Sequence, residues 1–158
     1  MSSKRISTGI PELDARIEGG LRCGKTYLVV GEPGTGKTVF GLQFLVSGLM
    51  DKEEGLYVAM LFYGLQANTN TTHLLTTYSA GRSVRSIEEY LVSGTFVLEM
   101  ELSNSRFIRT LTIEKMRSTA LAPAQYVFNI MQDRGIVLLD SLLSARQSSP
   151  SESAPDDR

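Results

Sequence analysis

The eight residues Gly31-Glu32-Pro33-Gly34-Thr35-Gly36-Lys37-Thr38 fit the spacing G-x-x-x-x-G-K-[ST]. That spacing suits the capture of phosphate. Glycines let successive backbone N–H groups turn inward around phosphate oxygens, where a side chain would block the approach. A helix beginning inside the loop aims its positive end at the same anion. A lysine placed like Lys37 reaches the β- and γ-phosphates, and a hydroxyl placed like Thr38 ligates Mg²⁺. The octet therefore predicts a site for a nucleoside triphosphate with Mg²⁺. It does not choose adenine over guanine.

Groups that would turn the nucleotide over are harder to find. Hydrolysis needs a side chain to orient or deprotonate the attacking water and an acid near the metal. Glu32 lies in the loop but has no motif context, and reads as facing solvent or a neighbouring subunit. Glu53 and Glu54 precede the next apolar run. Ile136-Val137-Leu138-Leu139-Asp140 has the shape of a Walker B strand, four apolar residues and an acid. Its position after the turn Asp133-Arg134-Gly135 instead reads as the return strand of a hairpin. His73 reads as a hydrogen-bonded structural histidine and Cys23 as a small side chain in a turn. Tyr63, Tyr78 and Tyr90 could stack on a base, although burial at an interface is the plainer reading.

The elements that must position these groups follow from the apolar pattern. Residues 6–20 read as a short helix capped by Thr8 or Gly9, with Pro11 in its first turn and Gly19-Gly20 as its stop. Residues 26–30 form a strand, the octet a loop, and residues 39–50 a helix apolar almost all round, as for a buried one. With a second strand at 56–60 this is a right-handed βαβ unit. A third strand is expected at 72–77. Ser86 and Glu89 make a capping box for a helix ended by Gly94. From there the period falls to two: Phe96, Leu98, Met100 and Leu102 alternate with polar residues. A turn at 103–105, a return strand at 106–116, a strand around Tyr126, Phe128 and Ile130 and a last strand at 136–139 complete antiparallel hairpins. The Ser-, Pro- and acid-rich residues 144–158 have the composition of a disordered tail.

The chain of 158 residues has room for one domain with a real core: 42% of residues are apolar and 21% charged. Lys and Arg number 16 against 17 Asp and Glu, so no basic surplus indicates nucleic acid. One cysteine and one histidine exclude an intrachain disulfide, a cysteine zinc cluster and a multi-histidine metal site. The opening residues run into no apolar signal segment, and no apolar run approaches the roughly 20 residues of a membrane span. A cytoplasmic protein is expected.

Flanking residues narrow the class. Ile6-Ser7-Thr8-Gly9-Ile10-Pro11-Glu12-Leu13-Asp14, then Gly19-Gly20-Leu21 and the octet, resemble the opening of RecA-type P-loop ATPases of the KaiC-like branch. Lys115-Met116-Arg117, with Ser118 in place of a glycine and then Thr119, resembles that family's K-M-R-G-T motif. The resemblance covers about residues 5–60 and 72–140, and implies an α/β fold over residues 1–143: a mainly parallel sheet extended by C-terminal antiparallel hairpins. The family's paired catalytic glutamates fall where this chain has Leu61 and Phe62. Only residues 61–71 stand where the family has a helix, strand, helix and Walker B strand, and a crossover alone takes about 10–12 residues. The fold is thus expected to be internally shortened, with the 56–60 strand moved over to pair with the 72–77 strand.

Lys115 and Arg117 are expected on one face of a strand, with Met116 turned to the core. On the residues alone they read as a solvated face. The resemblance implies that they reach the γ-phosphate held by a neighbouring subunit, and that the chain self-associates with ATP and Mg²⁺, a ring of six being one form, or joins full-length relatives. The leading expectation is ATP binding with weak or lost hydrolysis. Its competitors are a non-enzymatic interaction or regulatory protein, a truncated gene product and a small P-loop kinase.

Overall fold

The computed structural model describes residues 4–51, 55–58, 71–78, 91–103, 105–120 and 124–139. A two-stranded antiparallel ribbon, β1 (Arg5–Ile6) with β2 (Leu21–Arg22), brackets the short helix α1 (Pro11–Arg16). The helix is shorter than residues 6–20, and neither expected residue caps it. Ile10 takes the cap position without a side-chain bond. The reason is Asp14, whose carboxylate accepts from Ser7 Oγ (2.6 Å), Thr8 N–H (2.9 Å) and Thr8 Oγ1 (2.7 Å). A charged acceptor makes the stronger bond, so Thr8 is held by Asp14 while its oxygen still accepts from Ile10 N–H.

Seven strands form the main sheet. They are β3 (Thr26–Gly31), β4 (Gly55–Val58), β5 (Thr72–Thr77), β6 (Gly94–Ser103), β7 (Arg106–Met116), β8 (Ala124–Met131) and β9 (Gly135–Leu138). Their order is β4-β5-β3-β6-β7-β8-β9. The first four are parallel neighbours, and β6 to β9 alternate antiparallel. The shift expected of the second strand is present: Gly55 pairs with Thr72 and Val58 with Leu75. Gly94 opens β6 three residues after the helical Leu91, and a Cβ there would meet Met116 Sδ and the Tyr27 ring at 2.9 Å. Residues 136–138 form the hairpin return at the far edge of the sheet, four places from β3.

Helix α2 (Lys37–Met50) crosses from β3 to β4. It buries Phe40 and Phe44 against Val29, Phe96, Leu111, Phe128 and Ile136 in one continuous core. Each fully buried ring is worth about 1.5–3 kcal/mol. The expectation that α2 is buried all round is wrong. Leu42 and Val46 are about half exposed, and Leu49 and Met50 are 75% and 78% exposed. Spacings of four, three and one place them along one side, so sequence alone could not separate the core face from this equally apolar one.

Among the described residues no helix is long and apolar enough to cross a membrane. The capping box at Ser86 and Glu89 and the 144–158 tail lie outside the described residues.

Candidate nucleotide-binding site

The octet leaves the end of β3 and enters α2 at Lys37. Gly34 and Gly36 have φ of +83° and +109°, backbone that L side chains rarely adopt. Gly31 is fixed by space instead: a Cβ there would lie 2.5 Å from Leu98 O. Thr35 is buried and donates to Glu32 O at 2.8 Å, which closes the loop on itself. The Lys37 ammonium donates to Gly31 O (2.8 Å) and Glu32 O (2.9 Å), inside the curve of the loop. Burial lowers its pKa below the ordinary lysine value, because desolvation disfavours the charged form. A phosphate in the cradle would supply the missing counter-charge. Glu32, Pro33, Gly34 and Thr38 are exposed.

The N–H groups of the first helical turn have no partner within the helix, and at α2 they belong to Lys37, Thr38 and Val39. Among the described residues no three His, Cys, Asp or Glu side chains cluster to hold a metal. That donor set fits Mg²⁺ carried largely by phosphate oxygens and one hydroxyl, the ion's usual way of binding nucleotides. Thr38, exposed at the start of α2, is the residue that would offer that hydroxyl.

A wall not anticipated from the sequence stands over the loop. A Cβ on Gly36 would lie 3.0 Å from Ile130 Cδ1 and 3.7 Å from Phe128 Cε2, and one on Gly34 would lie 3.8 Å from Met100 Cε. Phe128 is fully buried, while Ile130 is partly open. Arg109 stands between Met100 and Phe128 in the strand register, with its Nε buried and unpaired. The signal was the alternation itself. Placing it over the octet required the register of β6, β7 and β8, which local sequence does not give.

Lys115 and Arg117 are at the other end of the sheet. Lys115 pairs with Thr95, which pairs with Leu28, three residues before Gly31. That is roughly 10 Å along the strands and roughly another 10 Å across two strand spacings. Strand β7 ends at Met116, so Arg117 lies in the following turn and the expected shared strand face is corrected. Its N–H donates to Ser93 O at 2.7 Å, and Ser93 N–H to Thr26 O at 2.8 Å. Met116 packs against the core as expected. Ser118 holds φ +61°, a conformation suited to the glycine it replaces in the motif.

His73 is buried in β5 with Nδ1 3.4 Å from Thr26 Oγ1, and Cys23 sits half-buried in a turn. Tyr78 is exposed. Glu53, Glu54, Leu61, Phe62, Tyr63, Tyr90 and Asp140 lie outside the described residues.

The family model described as the KaiC ATPase matches residues 6–61 and 59–142, two blocks that overlap at residues 59–61. A UPF0273 protein of Thermotoga maritima is 43% identical over 67 residues, 42% of this chain and 28% of that protein. The circadian clock protein KaiC3 of a Synechocystis strain is 42% identical over 55 residues, 35% of this chain and 11% of that one. The matched part thus spans less than a third of these relatives' own length. The crystal structure of a KaiC-like protein from Pyrococcus horikoshii superposes with a TM-score of 0.74 at 23% identity, covering 87% of this chain and 99% of that one. With both halves of the sheet and the phosphate loop matched, this chain belongs to the KaiC family of RecA-like P-loop ATPases.

Proposed function

We propose that the chain binds ATP with Mg²⁺ in the 31–38 loop, turns it over very slowly, and uses the bound nucleotide to associate with further copies or with full-length relatives in the cytoplasm. The observation that carries this reading is the loop: left-handed glycines, a lysine folded onto the cradle and a helix start in one contiguous segment. The triphosphate lies in the loop, Thr38 ligates the metal, and the nucleoside lies against Met100 and Ile130. Lys115 and Arg117 stand too far from their own loop to serve it, which favours action on the γ-phosphate of a neighbouring subunit. ATP bridging two subunits then favours the assembly by mass action.

The test is calorimetric titration with MgATP and MgGTP, followed by a phosphate-release assay. Lys37→Ala is expected to weaken MgATP binding at least tenfold, about 1.4 kcal/mol. Wild-type turnover is expected far below the roughly 10 per second of a typical enzyme. Equal affinity in the two proteins would refute the site, and brisk turnover would refute the loss of hydrolysis.

A further inference from the structure

We infer that Gln43 is a positioning residue that sets the gap between the phosphate loop and the nucleoside wall. The inference rests on the nucleotide-binding reading above. Gln43 lies on α2, and its carboxamide meets three residues in two segments. Nε2 donates to Gly9 O (3.2 Å), Arg134 O (3.0 Å) and Ile136 O (3.4 Å), while Oε1 accepts from Ile136 N–H at 2.7 Å. Two protons are therefore shared among three carbonyls.

The register explains why one side chain can grip both groups of Ile136. Leu139 N–H donates to Val127 O, so the rung of Val127 and Leu139 is a hydrogen-bonded one. Rungs alternate in an antiparallel pair. Ile130 opposite Ile136, three residues along, is then a rung whose Ile136 N–H and C=O face away from β8, at the open edge of the sheet. The Gln43 amide takes both, as the peptide group of a neighbouring strand would. Contact here is close from either side. A Cβ on Gly135 would lie 2.6 Å from Gln43 Cδ, and one on Gly9 would lie 2.4 Å from Gln43 O.

The gripped turn comes directly after Ile130 and Met131, and Ile130 is the wall residue nearest Gly36. Gln43 stands on the helix whose first turn closes the cradle. It therefore spans the two sides of the cleft: the phosphate side on α2 and the nucleoside side on β8. Without it α2 still packs through Phe40 and Phe44 and the cradle keeps its own backbone, but the distance to Ile130 is no longer held. The loss falls on the nucleoside, not on the phosphates.

The test compares MgATP with magnesium tripolyphosphate, which has the phosphates and no nucleoside, by calorimetry on the full chain. Gln43→Met keeps length and bulk and loses all four bonds. It is expected to weaken ATP about tenfold and tripolyphosphate less than twofold, with thermal melting confirming that the protein is folded. Gly135→Ala, which presses on the same amide from the turn, is expected to give the same split and replaces Gln43→Met should that variant not fold. A tie that only stabilises the fold would lower the melting temperature and leave both affinities alike, and that result, or an equal loss for both ligands, overturns the inference. Wild type that binds tripolyphosphate as tightly as ATP overturns it too, by removing the nucleoside wall. Wild type that binds neither overturns the nucleotide reading itself and this inference with it.

Discussion

The two ends of the sheet hold their cations in different ways. At the loop end, Lys37 is held by carbonyls five and six residues before it, within one contiguous segment. At the other end, Lys115 and Arg117 owe their places to pairings that reach back to Thr95, Ser93 and Thr26. The first arrangement can hold a phosphate by itself. The second presents two cations that cannot reach that phosphate within the same subunit. On the function proposed above, a protomer so built would carry both halves of a shared site and complete neither alone, and nucleotide binding and assembly would be separable properties.

The largest expected effect would break the loop end. Gly36→Val places a branched side chain at φ +109° and against Ile130, and MgATP affinity is expected to fall more than ~100-fold by calorimetry. Retained binding would show that the cradle does not depend on this backbone. The next effect separates the ends. Lys115→Ala with Arg117→Ala is expected to leave ATP affinity within about twofold in dilute protein, where subunits stay apart. Light scattering should then show that ATP-dependent association is lost. A double variant that assembles like wild type would leave these residues as surface charges.

Smaller effects sharpen the picture. Ser118→Gly relieves a left-handed backbone beside Arg117 and is expected to stabilise the fold by about 0.5–1 kcal/mol, a rise of about 1–4 °C in Tm. No rise would mean that Ser118 is not strained. The smallest effect is in pH. Burial lowers the Lys37 pKa in the free loop, and a bound phosphate raises it again. The complex thus holds the proton more tightly than the free protein, and affinity drops as pH climbs past the free-state pKa, below the ordinary 10.5. A loss of roughly two- to fivefold between about pH 7 and 10 is expected, and Lys37→Ala should abolish it.

What the sequence disclosed followed the same division. The octet was legible because its chemistry needs eight consecutive residues, and the hairpins because alternation from Phe96 onward has a period of two. The cap of α1 is not legible locally, because Asp14, several residues on, competes for Thr8. Arg117 was misplaced because strand ends depend on where a partner stops. Met100 and Ile130 are legible as strand residues but not as a wall, since that role exists only once three strands are in register. Gln43 does carry a local signal: a lone amide among the apolar residues of α2 needs partners, and polar groups in such a setting are costly without them.

The open side of α2 has a practical consequence at the bench. Leu42, Val46, Leu49 and Met50 offer a hydrophobic strip on a fully folded molecule. Anilinonaphthalene sulfonate brightens on such surfaces, and its fluorescence is commonly read as the mark of a molten globule. Here a native sample would glow in that assay. Loss of near-ultraviolet dichroism from the tyrosines and phenylalanines, rather than dye fluorescence, is the signal that would distinguish a collapsed intermediate from the intact protein.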